Sequence, residues 1–497
     1  MTAPEVLPGA ARPTAHQGDV RFRRLMTLLA LSAVLPGSGH LAGGRRTAGW
    51  VIMAVTALLV AAAAALGYAV VTRPETVATR AAECALHSSC LTGVRYGVLA
   101  TGAAWIAVIL SAVLLGHPGE VSAARRFLAF TLAAALCAAV AVPTVVLSNA
   151  AGATQDAADS LFGEFPEDPS SVVQVSAEKA FADGRVNVLL LGGDSGAGRQ
   201  GLRTDTVIVA SLDVDSGRAI LFSLPRNLQD VPFPPGSAMA RAWPDGYDCG
   251  DRCLLNAIYL EGADHPERFP GDPDPGLSAV RAGVSQSLGL GLDYVVLVTL
   301  EGFETVINAL GGVTITAAER LPIGGLDAGG NRIRPSGYIA AGTQRMDGRT
   351  ALAYVRSRSS GTDYDRVERQ SCLLGAVARQ VDLRTVLTRY SGVVGATSDA
   401  VRTDITRPAA RALLDVVIKT RGQPIERLAF IPPVLDDTTS PDFVRIRALV
   451  RAAIAGPAQS PVPTPSATSA APPSVVEPAP EPSRTPTPGP VDLAGVC

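Results

Sequence analysis

The sequence predicts an α/β domain preceded by a helical membrane module, and two observations support this prediction. After residue 185, short apolar runs alternate with glycine-rich and polar loops, which is typical of buried strands joined by loops and helices. Before it lie three apolar stretches, at about 49–71, 94–115 and 127–147. Each reaches the roughly 20 residues that an α-helix needs to cross a bilayer.

An earlier apolar stretch, 25–42, differs from these three because a Pro-Gly-Ser-Gly sequence at 36–39 interrupts it and arginines flank both of its ends. Cationic flanks favour the cytoplasmic side, so we interpret it as a re-entrant or interfacial segment. With three spans and an inner N-terminus, everything after residue 148 lies outside the cell, in a multi-pass protein of the cell membrane. A fourth span, which sends the N-terminus outside, is the alternative.

Charge and composition argue against one large class of function. Among the 497 residues, 43 Lys and Arg balance 45 Asp and Glu, for a net charge of −2. This balance disfavours nucleic-acid binding as the main task. Lysine occurs only at positions 179 and 419, so arginine is the default cation and clusters of arginine are less surprising than usual.

The cysteines indicate disulfides on the predicted outer side of the membrane. Cys137 falls within a span, where a small core residue is expected, and the other six of the seven cysteines fall where disulfides persist. The predicted pairs are Cys84–Cys90, Cys249–Cys253 and Cys372–Cys497. Half a zinc site is the alternative for the second pair, although no second half follows. A free or intermolecular thiol is the alternative for the third pair.

Two aspartates stand at the ends of predicted strands. Apolar runs at 186–191, 206–213 and 218–224 predict three strands, the last two joined by a Ser-Gly turn. Asp194 and Asp205 flank the loop between the first two strands, and α/β proteins bind ligands where strands end next to glycine-rich loops. Both carboxylates can therefore meet on one hard cation.

The segment 352–370 carries the densest cluster of charged side chains. It contains four arginines and three acids, namely Arg356, Arg358, Arg366, Arg369, Asp363, Asp365 and Glu368. A strand-like run at 351–355 leads into the first two arginines, and a helix-like run carries the other two. Guanidinium groups suit phosphate oxygens because they donate paired hydrogen bonds and stay charged. Carboxylates beside them suggest a divalent cation or a proton acceptor near a phosphorylated ligand, and a solvated, salt-bridged helix face is the alternative.

Several common enzyme classes do not fit the sequence. It has no Gly-Lys-Ser/Thr of a P-loop, and the glycines at 192–198 do not form a dinucleotide fingerprint that opens a helix. Ala197 stands where the nucleophile elbow of hydrolases needs glycine. His265 is the only histidine after residue 117, so a Ser-His-Asp hydrolase and a histidine-rich zinc site are both disfavoured.

Six short blocks occur in a fixed order along the chain. They are NVLLLGGD at 187–194, RTDT at 203–206, SLPR at 223–226, LNAIY at 255–259, MDGRTALAYVRSR at 346–358 and DYDRVERQ at 363–370. Together they resemble the LytR-CpsA-Psr family of cell-wall glycopolymer ligases, over roughly 185–385. The resemblance implies an α/β/α fold that holds a polyprenyl (pyro)phosphate with Mg²⁺ or Mn²⁺ at the phosphates. It also implies transfer of a glycopolymer from that lipid to a hydroxyl of peptidoglycan or another wall sugar.

The same resemblance implies roles for individual residues. Asp194 and Asp205 match the metal-binding aspartates, and Asp363 matches a candidate base for the attacking hydroxyl. The positions that match pyrophosphate-contacting residues are Arg226, Arg356, Arg358, Arg366 and Gln370. Arg356 and Arg358 are grouped with Asp363 as the predicted catalytic set.

Two positions depart from the family pattern. Leu254 stands where the family often has lysine, and Arg252 or Arg203 can compensate; Arg203 therefore joins the predicted substrate-binding set. Asn227 stands where the Pro-Arg-Asp motif has an acid, so any role of that acid is lost. Neither change touches the predicted metal pair.

The predicted organisation follows from these segments. It comprises a cytoplasmic tail (1–24), a membrane module (25–147), a juxtamembrane linker (148–184), the α/β domain (185–455) and a Pro/Ser/Thr/Ala-rich tail (456–497). The predicted partners are the polyprenyl-diphosphate-linked glycopolymer, the peptidoglycan or polysaccharide acceptor, and membrane lipid. Two other functions stay open: a diphosphatase, in which water replaces the sugar hydroxyl, and a non-catalytic wall-binding or regulatory membrane protein.

Overall fold

The protein is described here by a computed structural model. The structure describes residues 15–116, 122–161, 181–194, 201–324, 333–357, 363–380, 401–456 and 489–493. The chain forms two compact units, Met1–Asp156 and Ala157–Cys497. Each unit has its own buried hydrophobic core.

The first unit is built from helices. They are α1 (Ala15–Val34), α2 (Ser38–Ala42), α3 (Arg46–Thr72), α4 (Pro74–Ala85), α5 (Ser88–Leu115) and α6 (Ala123–Leu161), the last of which runs on into the second unit. Among the described residues, α3, α5 and α6 are long and apolar enough to cross a membrane, and they contain the three predicted spans. Only 6% of the apolar window of α3 is buried within the protein, and a helix that is apolar all round but not buried is typical of a membrane span.

The stretch 25–42 is divided between two helices. Helix α1 ends at Val34, and α2 begins after Gly37, whose φ of 97° is a conformation that favours glycine. Residues of α1 share a small core with α5 and α6, formed by Leu25, Leu29, Ile109, Val113, Ala129 and Ala133. The interruption in the sequence therefore ends the helix, and the segment packs within the helical unit.

The second unit is centred on a mixed sheet. Its strands are β1 (Arg185–Asp194), β2 (Arg203–Asp213), β3 (Ala219–Leu224), β4 (Tyr294–Thr299), β9 (Val401–Thr403), β10 (Ile425–Ala429) and β11 (Val491–Asp492). Within the described residues they lie in the order β11-β10-β3-β2-β1-β4-β9. Strand β1 pairs antiparallel with β2 and parallel with β4, while β3 pairs parallel with β10.

Helices cover both faces of this sheet. The α-helices are α7 (Ala238–Ala242), α8 (Ile258–Asp264), α9 (Pro275–Leu288), α10 (Leu300–Ala309), α11 (Gly348–Arg356), α12 (Asp363–Gln380), α13 (Arg407–Thr420) and α14 (Phe443–Ala455). Val280 of α9 and Val450 of α14 share a core with Leu189 of β1. Leu413 of α13 packs with the neighbouring Val188, which points to the opposite face because side chains alternate along a strand. The predicted α/β/α fold is confirmed.

A smaller substructure stands beside the main sheet. Two hairpin-like pairs form it: β5 (Val313–Ala317) with β8 (Gly342–Met346), and β6 (Leu321–Ile323) with β7 (Gly337–Ile339). They share a core with α10, α11 and α12 that includes Ile307, Ile315, Met346, Tyr354, Val355 and Leu373. The two helices that carry the arginine cluster are therefore anchored in this core.

The prediction of a strand at 351–355 is wrong, because these residues lie in helix α11. Asp347 caps the helix, since its Oδ1 accepts a hydrogen bond from the backbone N–H of Thr350 at 2.8 Å. The buried positions of the run are Ala351, Tyr354 and Val355. This i, i+3, i+4 spacing puts them on one helix face, toward the core of the substructure. Five mostly apolar residues fit either period, and the cap and the core decide between them.

The end of the predicted tail belongs to the sheet. Strand β11 pairs antiparallel with β10 at the sheet edge. Leu493, which is 0% exposed, lies in a core with Ile208, Ala219, Leu221 and Ile425. Residues 457–488 lie outside the described residues, but the segment assigned to the tail (456–497) contributes at least these contacts to the domain.

Two of the predicted disulfides are confirmed. Cys84–Cys90 and Cys249–Cys253 are bonded, with Cα–Cα distances of 5.3 and 5.1 Å. Cys372 is disulfide-bonded as well, and its predicted partner Cys497 lies outside the described residues. Cys137, in α6, is a free thiol.

Candidate functional site

A β-bulge places Asp205 at the end of the β1–β2 pair. The register of the two strands shifts between Gly192 and Gly193, and Asp205 is the extra residue on β2. Bulges of this kind re-aim a side chain and are frequent next to functional sites. Asp194, the last residue of β1, lies opposite Arg203. Both predicted metal-binding aspartates therefore lie at the same end of two paired strands.

Two neighbours hold the carboxylate of Asp205. The Nη1 of Arg226 lies 3.0 Å from its Oδ1, and the Nδ2 of Asn256 lies 3.2 Å from the same oxygen. Burial by itself raises the pKa of the Asp205 carboxyl. Four effects lower this pKa by more than burial raises it. They are the charge and the hydrogen bond of Arg226, the charge of Arg366 and the hydrogen bond from the Asn256 amide. They hold this pKa below its ordinary value, so Asp205 is ionised at neutral pH.

The turn that contains Asn256 is docked on the loop after β3. The backbone N–H of Asn256 donates to the carbonyl of Arg226 at 3.1 Å, and the N–H of Leu255 donates to the carbonyl of Leu228 at 2.9 Å. Asn256 is only 3% exposed. It therefore contacts Arg226 through its backbone and Asp205 through its side chain, and the three residues hold one another in place.

The second aspartate is paired with an arginine from α11. Asp194 is 3% exposed, and its Oδ2 lies 3.3 Å from the Nη2 of Arg356, the last residue of the helix. The side chain of Arg356 is 48% exposed. A guanidinium that reaches a buried carboxylate and still faces solvent is accessible to an anionic ligand.

Helix α12 brings further polar side chains to this region. Arg366 is 3% exposed and Gln370 is 8% exposed, and they lie one turn apart on the same face. The hydroxyl of Ser371 donates to the carbonyl of Val367. The hydroxyl of Ser223 lies 3.1 Å from the hydroxyl of Ser371. Ser223 lies on β3 three residues before Arg226, so this contact fixes α12 to the strand that leads to Arg226.

The structure brings together part of the predicted site. The residues that it links by contacts or by charge are Asp194, Asp205, Arg226, Arg356 and Arg366. Arg203 begins β2 and is exposed. Arg358 lies outside the described residues. Asp363 is the first residue of α12, and its side chain lies outside the described part of the chain.

The residues present fit a magnesium-type cation that is shared with a phosphorylated ligand. Carboxylate oxygens are the donors that Mg²⁺ prefers, and it is usually held by one or two carboxylates plus phosphate oxygens and water. Asp194 and Asp205 supply two carboxylates from adjacent strand ends. Among the described residues no group of three or more acidic, histidine or cysteine side chains gathers at one point, so a dedicated all-protein cage is not formed there.

Sequence reasoning missed Asn256 and Ser223 as parts of the site. Both fall within the family blocks, but neither has a side chain that by itself indicates phosphate or metal chemistry. Their signal is polarity in an otherwise buried block, because a buried amide or hydroxyl needs a hydrogen-bond partner. The partners, Asp205 and Ser371, are distant in sequence and become visible only in the fold.

The departures from the family pattern have distinct surroundings. The Nδ2 of Asn227 donates to the Oγ1 of Thr438 at 3.0 Å, so the amide ties the loop after β3 to a loop after β10. Leu254 is half-buried and directly precedes the docked turn, while Arg252 is exposed. The amide at 227 therefore has a structural partner of its own.

Comparisons with known proteins agree with these motifs. The model of the LytR_cpsA_psr family matches residues 147–432. A polyisoprenyl-teichoic acid–peptidoglycan teichoic acid transferase (TagU) of Oceanobacillus iheyensis is 25% identical over 232 residues, which cover 46% of this chain and 62% of that protein. A probable cell wall biosynthesis protein (LcpB) of Corynebacterium glutamicum is 29% identical over 202 residues, which cover 40% of this chain and 38% of that protein.

The matches do not extend over whole proteins. The chain spans about three fifths of the length of the first relative and less than half of the second. The crystal structure of Bacillus subtilis TagV aligns with a TM-score of 0.39 and 22% identity, covering 54% of this chain and 94% of that one. The family match, by contrast, takes in more than half of the 497 residues and every strand from β1 to β10. The chain belongs to the LytR-CpsA-Psr family.

Proposed function

We propose that this protein transfers a glycopolymer from a polyprenyl-diphosphate carrier to a hydroxyl of peptidoglycan or another cell-wall sugar, forming a phosphodiester link. The proposal rests on two ion pairs at the same end of β1 and β2. Asp194 pairs with Arg356 and Asp205 pairs with Arg226, and the two arginines come from separate elements. The names of the relatives TagU and TagV, which are teichoic acid transferases, support the same reaction class.

The arginines account for recognition of the diphosphate. Arg226, Arg356 and Arg366 come from the loop after β3, from α11 and from α12, and each acts on one of the two aspartates by contact or by charge. Guanidinium groups donate paired hydrogen bonds to phosphate oxygens and keep their charge at any working pH. Because the fold holds them in place before the ligand arrives, they can stabilise charge on the leaving phosphate without reorganising.

In the proposed reaction, an acceptor hydroxyl attacks the phosphorus atom attached to the sugar. The new bond joins the acceptor oxygen to this phosphorus, and the bond to the bridging oxygen of the diphosphate breaks. Polyprenyl monophosphate leaves, and the hydroxyl proton passes to a base, for which Asp363 is the proposed residue. Mg²⁺ or Mn²⁺ held by Asp194 and Asp205 would supply charge neutralisation at the phosphate oxygens.

The membrane helices complete the proposal. A substrate with a prenyl tail resides in a bilayer, and α3, α5 and α6 are each able to cross one. We propose a multi-pass protein whose second unit lies on the outer side, where the lipid carrier and the wall acceptor are both within reach. Disulfides at Cys84–Cys90 and Cys249–Cys253 support an outer location for both segments, because disulfides persist in oxidising compartments.

The test uses the full chain in detergent with a synthetic prenyl-diphosphate oligosaccharide, with and without Mg²⁺ and peptidoglycan fragments. We expect release of prenyl monophosphate that requires both the metal and the acceptor, together with a product whose mass is that of the acceptor plus the sugar phosphate. Release without acceptor would instead identify a diphosphatase. Tight binding without release would identify a non-catalytic binder.

A further inference from the structure

Arg369 differs from Arg356, because its hydrogen bond goes to a backbone carbonyl and not to an aspartate. It lies on α12 and is 9% exposed. Its Nη2 donates a hydrogen bond to the backbone carbonyl of Ser357, which is the C-cap residue of α11. Ser357 directly follows Arg356. The contact therefore joins α12 to the residue next to the guanidinium that reaches Asp194.

Among the residues that the structure describes, Arg369 forms no ion pair with an acidic side chain, and its hydrogen bond goes to a backbone carbonyl. The carbonyl of Ser357 accepts its hydrogen bond, and within the described part of the chain its buried Nε has no hydrogen-bond partner. The adjacent Glu368 is directed elsewhere, with its Oε1 3.2 Å from the Nη2 of Arg427. Removing a cation from water is costly unless something compensates the charge.

The end of α11 supplies that compensation. The last carbonyl groups of a helix have no partner within the helix and carry partial negative charge, which favours a cation at this end. Tyr354, in the last turn of α11, lies close to Arg369: burial raises the pKa of its hydroxyl, and the charge of Arg369 opposes this. Arg369 thus occupies the position in which a cation stabilises a helix C-terminus.

The surrounding packing makes this contact rigid. Tyr354 and Val355 of α11 and Leu373 of α12 belong to one buried core, one turn away from Arg369 and Ser357. The hydroxyl of Ser357 also lies 3.4 Å from the carbonyl of Pro322, close to the limit for a hydrogen bond. Where α11 ends, and hence where Arg356 leaves the helix, depends on these contacts.

We propose that Arg369 is a positioning residue, which caps α11 and thereby sets the guanidinium of Arg356 against Asp194 for diphosphate binding. This inference rests on the proposed function, since it concerns the same site. Arg369 acts through Arg356 and needs no contact with the substrate. It follows that losing Arg369 matters only as long as Arg356 is present.

A double-mutant cycle on the full chain in detergent tests this dependence. The variants are Arg356→Met, Arg369→Met and the double variant, and Arg379→Met, an exposed arginine on the same helix, is the matched control. We measure kcat/KM for transfer and the affinity for inorganic pyrophosphate with Mg²⁺. We expect Arg356→Met to lose about 10²-fold to 10³-fold in kcat/KM and Arg369→Met about 10-fold to 100-fold. We expect the double variant to lose no more than Arg356→Met alone, and the control to match the native chain.

Additive losses in the double variant would overturn the proposal, because they would show that Arg369 acts independently of Arg356. Native behaviour of Arg369→Met would overturn it as well. If Arg369→Met does not fold, Arg369→Lys replaces it in the cycle, since it keeps the cation at the helix end. Its expected partial activity at an unchanged melting temperature supports the capping role, and complete inactivity would refute it.

The pyrophosphate arm separates this inference from the proposed function. If the native chain shows no transfer, the proposed function fails, while the same cycle on pyrophosphate affinity still decides whether Arg369 acts through Arg356. If the native chain transfers glycopolymer and the cycle is additive, only the positioning role fails.

Discussion

Arg356 and Asp194 are 162 positions apart in the sequence, yet the Nη2 of the arginine lies 3.3 Å from the Oδ2 of the aspartate. The contact joins the end of α11 to the end of β1. Asp205 and Arg226 make a similar pair at 3.0 Å between β2 and the loop after β3. Both aspartates are thus matched by cations from other parts of the chain, and a diphosphate ligand would meet positive charge supported by the fold.

Replacing Arg356 should affect activity far more than stability. Its side chain is about half exposed, and partly exposed ion pairs contribute only about 0–1 kcal/mol to folding. Loss of one preorganised stabiliser of developing charge lowers kcat by about 10²–10³-fold. We therefore expect Arg356→Ala to transfer at this reduced rate with a melting temperature close to that of the native chain. Near-normal transfer would exclude this role for Arg356.

Arg349 offers the matched control for this experiment. It lies on the same helix as Arg356 and is exposed. Arg349→Ala removes the same charge from α11 and leaves the contact with Asp194 in place. We expect its transfer rate to equal that of the native chain.

Asp205 should make folding stability depend on pH below neutrality. Its pKa lies below the ordinary value in the folded chain, whereas an aspartate in an unfolded chain titrates near about 3.9. Ionised Asp205 therefore stabilises the fold above that pH, and this contribution is lost as the pH falls through the lowered folded-state pKa. We expect Asp205→Asn to reduce the free energy of unfolding at pH 7 and the difference to narrow below a pH of about 4.

Urea unfolding of the native chain and of Asp205→Asn, in detergent between pH 7 and pH 3, measures the difference in their free energies of unfolding. Asp264→Asn, at an exposed position of α8, is the control and should match the native chain over the whole range. A difference between Asp205→Asn and the native chain that stays constant with pH would show that the ion pair with Arg226 is not its source.

Leu493 should contribute to the stability of the second unit although it follows a two-residue strand. It is fully buried, and a Cβ built on Gly375 of α12 would lie 3.0 Å from its Cδ1, so the tail packs directly on the helix that carries Arg366. Truncating a buried leucine to alanine costs about 2–5 kcal/mol. We expect Leu493→Ala to lower the melting temperature, as measured by thermal unfolding.

Val491 is the natural comparison for Leu493, because it lies two residues away in the same tail and is 46% exposed. Val491→Ala should leave the melting temperature nearly unchanged. A melting temperature that neither substitution changes would mean that the tail contributes to stability only through its backbone pairing with β10.

The proposed topology predicts which surface positions can be reached from outside the cell. In a Cys137→Ser background, we expect a membrane-impermeant maleimide to label Asp264→Cys in intact cells and to label Ser122→Cys only after permeabilisation. Both positions are exposed, so accessibility within the protein does not limit labelling. Labelling of Ser122→Cys in intact cells would contradict three spans with an inner N-terminus.

The sequence by itself determined the features that depend on local pattern. The apolar stretches long enough to span a bilayer form α3, α5 and α6. The short apolar runs at 186–191, 206–213 and 218–224 form β1, β2 and β3. The short-range disulfides were also predictable, because few residues separate their cysteines. Hydrophobic length and sequence separation set these features, and neither depends on the rest of the fold.

Tertiary structure decided what depends on distant partners. Residues 351–355 fit a strand or a helix by pattern, and the Asp347 cap with the shared core made them a helix. Asn256 and Arg369 lie in blocks that the sequence singles out, but their partners, Asp205 and Ser357, become visible only where other elements bring them within hydrogen-bond distance. A buried polar group must find its partner wherever the fold places one, so its role cannot be read from its neighbours in sequence.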